Sequence, residues 1–189
     1  MTKEVNKYLQ SYSTDPIEVD RLIVSAFLYS QGLGNISNKF LKPYLIQDKD
    51  KDFECLNEFL PIFQCTKLEE LIQVFEFVIS PEEKIVTGAV YTPKNIREYI
   101  VDQCFNAFDE LTDVKICDPA CGCGGFLYTA AKAMHDQTGI SYETIYAENI
   151  YGLDIQKYAI NRSKLLLTLL ALTEGENADF EFNLEKGNA

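Results

Sequence analysis

A chain of 189 residues has room for one ordinary domain or two small ones. Apolar residues make up 47% of it and charged residues 24%, the balance of a soluble globular protein, and the polar start at Thr2, Lys3 and Glu4 carries no apolar signal-peptide core. The net charge is −12, with −5 up to Gly88 and −7 beyond it, so neither half has the basic surface that neutralising duplex phosphates requires.

Residues 1–87 read as a helical region. Asp15-Pro16-Ile17-Glu18 supplies an N-cap, a proline at the first helical position and a glutamate three residues after the cap. Leu22, Ile23, Ala26, Phe27 and Tyr29 follow near helical period, and Gly32 offers a stop. Phe40, Leu41 and Leu45 suggest a second helix, and Phe53, Leu56 and Leu60 a third that ends near Pro61. Thr66-Lys67-Leu68-Glu69 reads as a capping box opening a helix with Leu68, Leu71, Ile72, Phe75 and Val78 inward. Short amphipathic helices of this kind need each other, or a neighbour, to bury their faces. None of them carries recognisable chemistry.

The rhythm changes over residues 88–189. Thr92-Pro93 starts a helix with Ile96, Tyr99, Ile100 and Cys104 on one side. Val114 to Cys117 is a short strand cut off by Asp118-Pro119, and a glycine-rich turn leads into a helix through Phe126, Ala130, Ala133 and Met134 to Gly139. Ser141 to Asn149 is one more helical piece, and Ile150 to Leu153 a second strand ending at Asp154. Gln156 to Leu172 is helical, and Phe180 to Leu184 alternates as a third strand. Strand, helix, strand, helix, strand predicts an α/β fold: a partial doubly wound, Rossmann-like parallel sheet preceded by a small helical region. The longest apolar run, Leu165 to Leu172 broken by Thr168, is too short to span a bilayer, so a cytoplasmic location with no membrane partner is expected.

The six cysteines (Cys55, Cys65, Cys104, Cys117, Cys121 and Cys123) are expected as reduced thiols. The spacing of the last three lacks the paired knuckles of a zinc site, and no metal is expected. His135, the one histidine, lies near a helix end and reads as solvated or capping. Tyr142, Tyr146 and Tyr151 read as core and helix surface.

The informative segment is Asp118-Pro119-Ala120-Cys121-Gly122-Cys123-Gly124-Gly125-Phe126-Leu127. Glycines between a strand and a helix let the backbone turn sharply and approach a ligand, at the strand ends where open parallel sheets bind one. The plainer reading is a tight turn before a well-packed helix. Asp154 closes the next strand, where a carboxylate can accept from both hydroxyls of a ribose; it can equally cap the helix that follows. A dinucleotide fold uses G-x-G-x-x-G to seat a pyrophosphate on a helix N-terminus. Here an acid stands at the mouth of the loop, which suits a ligand carrying an ammonium or a sulfonium, as S-adenosylmethionine does.

Gly88-Ala89-Val90-Tyr91-Thr92-Pro93, then Asp118 to Leu127, then Gly152-Leu153-Asp154-Ile155 resemble, in order and spacing, the motifs of N6-adenine DNA methyltransferases. The modification subunits of type I restriction systems and their single-chain relatives are the closest likeness. Ser80-Pro81-Glu82-Glu83-Lys84 is similar to the lead-in of that family, and the resemblance covers roughly Phe75 to Ala189. It implies that Tyr91, Thr92 and Pro93 lie against the methionine part of S-adenosylmethionine. Asp118, Pro119 and the backbone of Ala120, Cys121, Gly122 and Gly124 would surround its amino-acid end. Asp154 would hold the ribose, Ile155 would pack on the adenine ring, and Asn188 would meet the adenine amine where the family more often has Asp. Cys123 stands where Ser or Thr is usual and reads as a small filler.

The family also acts on its base through an Asn/Asp-Pro-Pro-aromatic segment after the fourth strand, and this chain has no adjacent prolines. The expectation is therefore a shortened chain or an interrupted gene that binds cofactor, holds no catalytic residue and does not methylate by itself. DNA would be engaged through downstream parts or a specificity subunit, and the open sheet edge could pair with another copy. Two other readings stay open: a methyltransferase acting on RNA, protein or a small molecule, and a non-catalytic interaction module.

Overall fold

The computed structural model describes residues 3–78 and 92–188. The chain divides into two units, Met1–Ser80 and Pro81–Ala189.

The first unit is helical. Helix α1 (Lys3–Tyr12) was not among the expected elements, because its buried stripe consists only of Val5 and Leu9. Helix α2 (Pro16–Ser30) begins as its sequence dictates, with the Ile17 N–H donating to the Asp15 carboxylate at 2.9 Å and proline in the first turn. It is the centre of the unit. Val19, Asp20 and every residue from Leu22 to Leu28 are buried, while Tyr29 stays exposed and donates its hydroxyl to the Ile46 carbonyl.

The helix expected around Phe40, Leu41 and Leu45 does not form. The Asn38 side chain accepts from the Leu41 N–H at 2.7 Å, and a single 3-10 turn at Lys42–Tyr44 follows. The backbone then turns extended because tertiary bonds claim it: the Ile46 N–H donates to the buried Ser25 hydroxyl at 2.9 Å. Arg21 adds a fork, donating to Asp50 at 2.8 Å, Asp52 at 2.7 Å and the Pro43 carbonyl at 3.1 Å.

Helix α3 (Phe53–Phe59) ends before Pro61, with Leu56 and Phe59 fully buried. In helix α4 (Leu68–Phe77) the capping acid is Glu70 rather than Glu69. Its carboxylate accepts from the Thr66 and Lys67 N–H groups at 2.9 and 3.1 Å, one residue along from the expected box. Leu68, Leu71, Ile72 and Phe75 face inward as expected.

The second unit is a three-stranded parallel sheet in the order β1 (Ile116–Asp118), β2 (Ile150–Asp154), β3 (Asn183–Lys186). Asp118 pairs with Gly152, and Asp154 pairs with Lys186. Helix α5 (Lys94–Phe105) precedes the sheet. Helix α6 (Gly125–Thr138), then a turn α7 (Tyr142–Thr144) running into a π-helical stretch at Ile145–Asn149, connect β1 to β2. Helix α8 (Lys157–Thr173) connects β2 to β3, burying Leu165 to Leu172 without a break. Parallel neighbours joined by helical crossovers are the α/β architecture the sequence predicted. Among the described residues no helix is long and apolar enough to cross a membrane.

Two details depart from expectation. The third strand starts at Asn183, because Phe180 and Phe182 leave the ladder to pack on the buried Tyr146 ring at 5.5 and 5.2 Å. The Asn183 amide fixes that start, donating to the carbonyls of Tyr146 and Ala147. On α5, the side bearing Ile96, Tyr99, Ile100 and Cys104 is exposed, and the buried line is Arg97, Val101 and Phe105. The central strand also has a steric requirement. A Cβ on Gly152 would lie 2.7 Å from a Leu184 methyl and 2.9 Å from a Leu127 methyl. Overpacking of this kind costs about 1–3 kcal/mol, so Gly152→Ala should lower stability by about that amount in urea denaturation.

Candidate functional site

The segment between β1 and α6 turns back on itself, and its geometry follows from two glycines in the left-handed region, Gly122 at φ +53° and Gly124 at φ +85°. A side chain at Gly124 would also strike Ser163 of α8, whose Cα and Oγ lie within 3.0 Å of where its Cβ would stand. The turn is stitched to the neighbouring strand at two successive amides. The Cys121 N–H donates to the Leu153 carbonyl at 2.9 Å, and the Gly122 N–H donates to the Asp154 carboxylate at 3.0 Å. From the other side, the Ser163 hydroxyl donates to the Gly122 carbonyl at 2.8 Å. Gly122 is thereby held through both its N–H and its carbonyl, which belong to two successive peptide groups.

This brings the two acids singled out in the sequence to one rim. Asp118 ends β1 and accepts from the Ala120 N–H at 3.1 Å; Asp154 ends β2 and also accepts from the Gln156 N–H at 2.8 Å. The Asp118 carboxyl is held above its usual range. Burial raises it, the Ala120 N–H pulls it partway back, and the Asp154 charge raises it again. The Asp154 carboxylate accepts two backbone N–H groups, from Gly122 in the loop and from Gln156, the residue at the N-cap of α8, so it stands two residues before the cap and does not cap the helix itself. Each oxygen carries a second lone pair, which leaves acceptor capacity for a ligand.

Of the loop's backbone donors, the N–H groups of Ala120, Cys121, Gly122 and Gly124 are all engaged by the protein itself. A pyrophosphate cradle needs such groups pointing at the ligand. This rim instead offers carboxylate oxygens, and its chemistry suits hydroxyls and positive charge. The Cys121 thiol is buried and pushed up to about 12, chiefly by that burial, so it is a neutral packing group.

The remaining candidates fall as follows. Thr92 offers its carbonyl to Arg97, Pro93 is exposed at the start of α5, and Pro119 and Ala120 are exposed on the loop. Ile155 is 50% exposed directly after Asp154, a large apolar side chain left open beside the acid rim. Asn188 is exposed beyond β3, and the Gly187 N–H before it donates to the Asp154 carbonyl at 2.9 Å. Tyr91, with Gly88 to Val90 and Ser80 to Lys84, lies outside the described residues. His135 is at the far end of α6, stacked on Tyr142 at 4.4 Å with its Nδ1 on the Ile140 carbonyl, away from the acids. Two clefts lie elsewhere, about 610 Å³ around Tyr29, Leu45 and Asp48, and about 400 Å³ around Phe108, Thr112 and Lys115; neither has a glycine turn closed on a strand-end acid.

Sequence reasoning missed Ser163 and Arg97. Ser163 is a small polar residue at helical spacing among the apolar residues of α8, a signal that could have marked it; Arg97 had none, because the apolar spacing of α5 points to its other face.

A parallel sheet carrying a glycine turn and strand-end acids, with helical crossovers between its strands, defines a class of α/β domain. Within it, the chain belongs to the N-6 DNA methylase family, whose model matches residues 68–185, more than half of the chain. It is 36% identical over 99 residues to the type II methyltransferase M.VspI of Vibrio sp. (strain 343), covering 51% of this chain and 21% of that protein. The fold is similar to that of a cryoEM structure of a DrdV–DNA complex, with a TM-score of 0.56 at 17% identity, over 94% of this chain and 19% of that one. The match thus spans about a fifth of the length of each of these two proteins.

The raised Asp118 has a consequence for stability. A carboxyl bound more tightly to its proton in the folded state favours folding at low pH, and that contribution is lost as pH rises through the raised value. Asp118→Asn keeps the acceptor for Ala120 and removes the charge. It should raise the thermal midpoint at pH 7, and the gain should shrink toward zero as the pH falls below the ordinary carboxylate range. A variant less stable than the parent at pH 7 would contradict this origin of the shift.

Proposed function

We propose that this chain is the S-adenosylmethionine-binding portion of a DNA adenine-N6 methyltransferase of a restriction–modification system. Family membership and the type II methyltransferase relative support the enzyme class. The observation that carries the cofactor assignment is the Gly122 N–H to Asp154 bond, which ties the glycine turn after Asp118 to the acid that ends the next strand. S-adenosylmethionine, when bound, supplies an electrophilic methyl group on a sulfonium.

The residues of the chain bind and orient it. Asp118 faces the positive amino-acid end, where a cation restores its ionised form against the burial that opposes it. Pro119, Ala120, Cys121, Gly122 and Gly124 shape the wall of that end. Asp154 accepts from the ribose hydroxyls with the lone pairs that Gly122 and Gln156 leave free. Ile155 covers the adenine ring, Asn188 takes its amine, and Thr92 and Pro93 line the methionyl chain.

Transfer to adenine needs a group that accepts both amine hydrogens of a base flipped from the duplex. The 189 residues hold no adjacent prolines, so the segment that does this in the family is not in this chain, and the chain alone binds cofactor without methylating. With a charge of −12, DNA is engaged through other parts or a specificity subunit. Calorimetric titration with S-adenosylmethionine should give saturable binding. Asp154→Ala should weaken it at least about tenfold, the loss expected when charge-assisted hydrogen bonds go. Tritiated cofactor should transfer no label to adenine-containing duplex DNA. Absent heat, an unaffected Asp154 variant or labelled DNA would each overturn the corresponding part.

A further inference from the structure

Arg97 lies on α5, one turn past Pro93, and is 1% exposed. Its Nη1 donates to the Thr92 carbonyl at 2.9 Å and its Nε donates to the Thr129 hydroxyl of α6 at 3.2 Å. That hydroxyl in turn donates to the Gly125 carbonyl at 2.9 Å, in the first turn of α6. A Cβ on Gly125 would stand 3.3 Å from Nη1 and 3.5 Å from Cδ and Cζ, so the side chain lies directly against the backbone where the glycine turn becomes a helix.

A line of hydrogen bonds therefore runs from Thr92 through Arg97 and Thr129 to Gly125. It joins two segments far apart in sequence that border the cofactor in the reading above. Burying a guanidinium is costly, and a leucine in line with Val101 and Phe105 would seal this face of α5 with less penalty. What a leucine cannot do is hold a carbonyl at a set distance from a neighbouring helix.

We propose that Arg97 is a positioning residue of the cofactor site, fixing the Thr92–Pro93 start of α5 against the first turn of α6 and so setting the spacing of the two segments that flank the ligand. The inference rests on the cofactor assignment. It adds that affinity depends on a residue with no contact to the cofactor.

The test uses the full chain and S-adenosylmethionine, titrated by calorimetry well below each variant's unfolding temperature. Arg97→Met should weaken binding about tenfold, the scale of one lost charge-assisted hydrogen bond. Arg97→Lys, which can reach the Thr92 carbonyl but cannot fork to Thr129, should recover part of the affinity. Val101→Ala, on the same buried line, controls for stability: it should lower the thermal midpoint and leave affinity within about twofold, since it removes packing alone. Without cofactor, amide hydrogen exchange should rise together around Lys94–Asn95 and around Gly125–Tyr128 in Arg97→Met. Should that variant not fold, Thr129→Val removes only the hydroxyl Arg97 uses and should weaken binding while the chain stays folded. Parental affinity in Arg97→Met or, failing that, in Thr129→Val overturns this inference alone. Affinity that merely tracks thermal stability across all variants, Val101→Ala included, also overturns it. A parent chain that binds no S-adenosylmethionine overturns the cofactor assignment, and this inference with it.

Discussion

Gly122 is held on both sides of its Cα, its N–H by the Asp154 carboxylate and its carbonyl by the Ser163 hydroxyl. Those two bonds join the turn after β1 to the end of β2 and to the flank of α8, three pieces separated by as many as 41 residues in sequence. The glycines around it follow from that closeness. Gly124 has no room for a side chain because Ser163 must reach past it, and Gly152 has none because Leu127, Leu184 and Cys121 meet beneath the turn. The arrangement also decides the electrostatics. The amides of Ala120, Cys121, Gly122 and Gly124 serve the protein, carboxylate oxygens stand at the rim beside them, and Asp154 sits close enough to Asp118 to raise it. A loop with the same glycines but open amides would attract an anion.

The chain's overall acidity agrees with a division of labour. A surface carrying −12 is suited to a small cationic ligand gathered at one rim and unsuited to a polyanion. The match covers only about a fifth of M.VspI and of the DrdV chain, which leaves room outside the matched part of those proteins for base-binding and target-recognising surfaces.

Much of the second unit was legible because its information is local. Asp118-Pro119 ends a strand, Gly122 to Gly125 must turn, and Asp154 stops the next strand before a long apolar helix. What was not legible depends on bonds between distant side chains and backbone. The stretch from Phe40 to Leu45 has helical spacing, yet Asn38 takes the Leu41 amide within it and Ser25 takes the Ile46 amide just beyond it. The start of β3 moves because Tyr146 collects two phenylalanines that alternate like a strand. The apolar residues of α5 gave a convincing helical face, but the buried side is organised by Arg97, and no periodicity rule ranks an arginine above an isoleucine for burial. Helix α2 is the opposite case: its cap, its apolar spacing and the stop at Gly32 all announce it, and burial from Leu22 to Leu28 then goes beyond one face.

The claim beneath all of this is that one small ligand sits where Asp118, Asp154 and the clamped glycine turn converge. Nitrogen-15 shift mapping of the chain during titration with S-adenosylmethionine tests it most directly. The account predicts perturbations gathered at Thr92, Ala120 to Gly125, Asp154 to Gln156 and Asn188, with Lys3 to Phe77 silent. Perturbations centred on the cleft beside Tyr29 and Leu45, or spread without regard to the strand ends, would contradict it.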